Sequence, residues 1–151
     1  MSKRIKLLLI ITAFAVAFVI AMQAFTIHNM KKAQEEQFRS HIALAAQSFG
    51  EYKTTGYDFM YEDALMELHS ASSVALLLEE DDSYKGLHGV LLSIVGTHHS
   101  FPEDLVLFTD ELYAILNHFS INHDAEDLYT KLKYIDNTLT GMMMERAVKV
   151  E

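Results

Sequence analysis

Eight histidines hold most of the chemistry open to this chain. His98 and His99 are adjacent and are followed by Glu103 and Asp104. His118 and His123 flank the last expected turn, with Asp124 next to them. Imidazole and carboxylate are zinc ligands, so His98, His99 and Glu103 form the metal arrangement to weigh. Two features count against it. Adjacent histidines on a helix point about 100° apart, and no His-x-x-x-His or His-Glu-x-x-His spacing occurs. If the last two helices are antiparallel, His118 and His123 lie at one end and His98 and His99 at the other. Solvent-facing loop histidines are the simpler reading, and no cofactor is expected.

Other side chains offer less. Glu79-Glu80-Asp81-Asp82 has the oxygens for Ca²⁺ but lacks the alternating ligands, central glycine and closing glutamate of a calcium loop. A solvated acidic turn fits better. Ser72, Ser73 and Ser93 lie outside any Gly-x-Ser-x-Gly elbow. No glycine-rich phosphate loop is present. Consecutive carboxylates such as Glu62 and Asp63 diverge on a helix. No catalytic residue and no enzymatic activity are therefore expected. Tyr52, Tyr57, Phe59 and Tyr61 gather around Gly56 as a candidate binding cluster, a pocket mouth. The competing reading is aromatic packing onto the end of a bundle.

The elements that would position these groups read as helices. Met1 to Lys6 is cationic, and Leu7 to Ile27 follows without a charge, 27 − 7 + 1 = 21 residues. A helix of this length spans roughly 30 Å, the thickness of a bilayer core. Lys3, Arg4 and Lys6 outweigh Lys31 and Lys32, which Glu35 and Glu36 dilute, so the N-terminus is expected inside. The length of the run and its poor cleavage sites favour a retained anchor over a removed signal peptide.

Beyond the anchor, Phe38, Ile42, Ala45 and Phe49 share one helical face. Gly50 and Gly56 bracket the expected end of this helix. A second helix is expected over Tyr57 to Glu80, with Tyr61, Leu65, Leu68, Ser72, Ala75 and Leu78 inward. A third, over Tyr84 to His98, would be capped by Asp82 or Ser83 and weakened by three glycines. Ser100-Phe101-Pro102-Glu103 reads as a capping box opening a fourth helix with Leu105, Phe108, Leu112, Ile115 and Phe119 as its seam. Asn122 or Asp124 would cap the last, with Leu128, Leu132, Ile135, Leu139 and Met142 inward.

The expected fold is all-α: an N-terminal transmembrane helix, then an antiparallel helical bundle. Residues 1–30 would form a cytoplasmic tip and anchor, and residues 31–151 an acidic extracytoplasmic domain. All 21 acidic residues lie at or after Glu35, against nine of the 12 basic ones beyond the apolar run, so the charge there is 9 − 21 = −12. That charge disfavours nucleic acid and anionic lipid as partners of the domain. Cysteine is absent, which excludes disulfides and thiolate chemistry.

The expectation for function is a single-pass helical interaction module on the outer face of a bacterial-type membrane. Membrane lipid would surround residues 7–27. A partner protein or a second copy would meet the domain, and the two heptad seams could close within one chain or between chains. The alternative is a sensory or ligand-binding bundle that acts through a partner.

Overall fold

The computed structural model describes residues 3–149, without the side chains of residues 3–7, 9, 99 and 147–149. It is all-α, with six helices among the described residues: α1 (Lys3–Thr55), α2 (Asp58–Leu77), α3 (Leu87–Ser100), α4 (Pro102–Val106), α5 (Thr109–Asn122) and α6 (Ala125–Lys149). The chain divides into two compact units, Met1–Ala33 and Gln34–Glu151, with the division inside α1.

The first unit is the apolar part of α1. Its most apolar window has a mean hydropathy of 2.3, and none of that window is buried. Thr12 and Thr26 turn their hydroxyls back to the carbonyls of Leu8 and Met22, both at 2.9 Å. Their side chains thus satisfy themselves within the helix, as a segment in hydrocarbon requires. Among the described residues this is the one helix long and apolar enough to cross a membrane.

The second unit is held by a core to which all six helices contribute large side chains. Phe38, Ile42, Ala45 and Phe49 of α1 are fully buried. Phe38 sits at the centre, edge-on to Tyr84 at 5.4 Å and to Phe119 at 5.7 Å. The α2 stripe is buried as its periodicity predicts, from Tyr61 through Leu78. Burying one such aromatic or aliphatic side chain contributes about 1.5–3 kcal/mol.

Contact positions fix the helix directions. Phe49 meets Tyr61 while His41 meets Glu67, so α1 and α2 are antiparallel. Ser72 meets His88 while Glu62 meets His98, so α2 and α3 are antiparallel too. The α3–α6 pair differs. Gly86 lies against Tyr129 and Ser93 against Asp136, so these two helices run in the same direction. They are not consecutive, and the short-loop argument for antiparallel neighbours does not reach them.

Several boundaries depart from expectation. α1 continues through Gly50, where the Tyr113 ring packs so closely that a Cβ would lie 2.9 Å from it. Gly56, at φ +70°, ends the helix. α2 stops at Leu77, and neither Asp82 nor Ser83 caps α3. Asp81 instead accepts the Ser83 N–H at 3.0 Å in a turn, and Gly86 opens α3 at φ +80°. The capping box does not form. Ser100 is the last residue of α3, and Phe101 precedes α4 without a side-chain cap. The fourth expected helix is two, because the chain breaks at Leu107 and Phe108. Asp124 does cap α6: its carboxylate accepts the Asp127 N–H at 3.0 Å. Leu105, Leu112 and Phe119 are buried, as are Leu128, Leu132, Ile135 and Leu139, so both seams close within one chain.

Candidate interaction face

The α2–α3 hairpin presents the second unit's most distinctive surface. α2 and α3 are stapled back to back by a reciprocal pair. The Ser72 hydroxyl donates to the His88 carbonyl at 3.2 Å, and His88 Nδ1 lies 3.0 Å from the Ser72 carbonyl. Inward residues of both helices fill the core, which leaves an outward strip. On α2 it carries Phe59, Met66 and Leu77, which are 55 %, 65 % and 61 % exposed. Their spacings of seven and eleven residues are close to whole turns, so they share one face. On α3 it carries Leu92, 43 % exposed, between Gly89 and Gly96. A Cβ on either glycine would meet no described residue within 4 Å. Each glycine costs a helix about 1 kcal/mol against alanine, and neither has positive φ or a close neighbour to require it.

Between the helices lies a groove of ≈ 400 Å³. Leu65, Met66 and Val95 give it apolar walls, and Glu62, His69 and His98 converge on it. His98 Nε2 lies 3.3 Å from Glu62. Behind them Tyr61 is buried, its ring 5.4 Å from the His98 ring. The Tyr61 hydroxyl is enclosed, with no hydrogen-bond partner among the described residues. Burial pushes its phenol well above the ordinary tyrosine value, and Tyr52 and Glu62 add to the shift.

The electrostatics of the hairpin are one-sided. α2 holds Asp58, Glu62, Asp63 and Glu67, and neither α2 nor α3 contains a lysine or arginine. Lys85 is the only lysine or arginine between Lys53 and Lys131.

The structure separates the aromatic cluster read from sequence. Tyr52 and Tyr61 pack together at 5.2 Å, and Tyr61 also meets Phe49 at 5.8 Å. Tyr57 and Phe59 stack at 5.6 Å on the exposed side. Two members thus belong to the bundle end and two to the surface. His98 faces Glu62 of α2, Glu103 is exposed in the first turn of α4, and the His99 side chain lies outside the described residues. Among the described residues no three histidine or acidic side chains are grouped to hold a metal ion.

A second concavity, ≈ 310 Å³, lies where α1 enters the bundle, with Glu35, Arg39, Asp81, Tyr84, Asp124 and Glu126 in its wall. Burial raises the Tyr84 phenol above its ordinary value, and Glu35 adds to this while Arg39 opposes it.

Periodicity could not single out the α2–α3 strip, since Phe59, Met66 and Leu92 are ordinary apolar residues in apolar helices. The long gap in lysine and arginine was the legible signal. Compared with known protein families, curated proteins and solved structures, the chain matches none.

Proposed function

We propose that the chain is a single-pass membrane protein whose N-terminus faces the cytoplasm and whose acidic helical domain works outside the membrane as an interaction module, by binding and not by catalysis. The apolar stretch of α1 and the cationic residues ahead of it support the topology. The strip of exposed Phe59, Met66, Leu77 and Leu92 carries the functional part, because a solvated acidic domain has no use for apolar side chains aligned on one face.

Protease added to spheroplasts tests the topology through a C-terminal tag. The tag is lost from intact spheroplasts if the domain is outside. A protected tag sinks the proposal. Site-specific photo-crosslinking in cells tests the interaction: adducts to another protein are expected from positions on the domain surface. An uncrosslinked, monomeric chain sinks the module.

A second reading has its own observation. The α2–α3 groove falls in the size range of small-molecule sites and gathers four polar residues, Glu62, His69, Ser70 and His98, over apolar walls. A ligand bound there would raise the unfolding midpoint. A flat thermal-shift response across amines, metabolites and divalent metals removes this reading.

A further inference from the structure

We infer that the outward α2–α3 face seats a cationic amphipathic helix of a partner protein, an inference that rests on the interaction-module reading above. The apolar strip supplies the seat. Phe59, Met66 and Leu77 run along one face of α2, and Leu92 is exposed on α3. A helix laid on two helices needs apolar anchors three to four residues apart and close backbone approach. The two open glycines of α3 provide that approach, since no described side chain occupies the space where theirs would stand.

Charge selects the occupant. Every formal charge on α2 and α3 is negative. A second copy of this chain would bring Asp58, Glu62 and Asp63 against an identical set, while Glu67 is taken up by His41 of α1, and like charges across an interface cost affinity. An anionic lipid surface meets the same repulsion. A helix with lysines or arginines flanking its apolar stripe meets complementary charge along its length. Glu62 stands at the rim of the groove and takes one of these cations, while Leu65, Met66 and Val95 receive the side-chain stem.

The test uses the full chain in discs of zwitterionic lipid, with empty discs as the reference. The probe is a leucine/lysine amphipathic peptide of roughly five helical turns, and its leucine/glutamate counterpart is the control. The leucine/lysine peptide is expected to bind saturably at one per chain and the control not at all. Met66→Lys and Leu92→Lys should each weaken binding roughly tenfold or more, as hot-spot substitutions do. Glu62→Gln should weaken it several-fold. Tyr134→Lys makes the same charge change on the exposed side of α6 and should leave binding within a factor of two. Equal loss from Met66→Lys and Tyr134→Lys would reduce the effect to general acidity and overturn the inference.

Photo-crosslinkers at positions 66 and 134 separate this inference from the reading beneath it. A cationic helical segment of another protein captured from 66 alone supports it. Another protein captured from 134 alone overturns this face and leaves the module standing. Capture of a second copy from 66 makes the face a homodimer contact and overturns the cationic partner. No capture from either position, with a monomeric chain, removes both.

Discussion

The Ser93 hydroxyl on α3 donates a 2.5 Å hydrogen bond to the buried carboxylate of Asp136 on α6. Lys133 holds the other oxygen of Asp136 at 2.7 Å. Hydrogen bonds to charged groups contribute about 1.5–3 kcal/mol, so Ser93→Ala should destabilise the domain by about that amount. Ser73→Ala, on the exposed side of α2, should change little, because that hydroxyl bonds only its own helical turn. Urea unfolding of the detergent-solubilised chain, followed by circular dichroism, separates the two.

The glycines of α3 should respond in opposite directions. Gly86 has φ +80°, and a Cβ there would lie 2.9 Å from the Tyr129 ring. Gly86→Ala should cost about 1–2 kcal/mol through backbone strain and that contact. Gly89→Ala and Gly96→Ala should each stabilise by about 0.5–1 kcal/mol, since the helix gains and nothing is crowded. Loss of stability at either of the latter would mean that their openness has been misread.

Tyr61→Phe removes a buried hydroxyl that has no partner among the described residues. At neutral pH it should be neutral or stabilise by up to about 1 kcal/mol. Its folded-state phenol is raised above the unfolded value, so its contribution is fully present below about pH 10 and is lost as pH rises further. Wild type should therefore lose midpoint temperature above about pH 10 more steeply than Tyr61→Phe. Tyr84 and Lys133, raised in the same direction, remain in both proteins and contribute to the residual slope. Identical alkaline slopes would show that Tyr61 is not the group responsible.

Asp104 is fully buried, and Arg146 of α6 pairs with one of its oxygens. Among the described residues the other oxygen has no hydrogen-bond partner. Arg146→Ala leaves an uncompensated buried carboxylate. Because Arg146 is half exposed, solvent screens the pair, and the expected cost is about 1–2 kcal/mol. Adding Asp104→Asn should recover most of it. A double-mutant cycle with no coupling would deny that this pair fastens α6 to α4.

The sequence disclosed what repeats locally. Phe38, Ile42, Ala45 and Phe49 recur at helical spacing, and all four are buried. Tyr61 to Leu78 behave the same way. The break at Leu107 and Phe108 was illegible because the Leu105–Phe108–Leu112 spacing continues across it without a glycine or proline to mark the interruption. The capping box misled because α3 runs through Ser100 and consumes the residue that should have capped α4. The parallel α3–α6 pairing lies beyond any local pattern. So do the partners of His41 and His98, whose carboxylates Glu67 and Glu62 come from α2. The candidate face was half visible: its acidity could be counted along the chain, but the alignment of Phe59, Met66 and Leu92 on one surface needed the packing of their neighbours.

The same-direction pairing of α3 with α6 bears on how the chain is made. Ser93 must find Asp136 across 43 residues, whereas the α1–α2, α2–α3 and α5–α6 hairpins join segments that leave the ribosome one after another. Long-range closure costs chain entropy that local hairpins avoid. α6 can dock only after it has been made, and a nascent or truncated chain that ends before it leaves the α6-facing side of α3 open to solvent and to proteases.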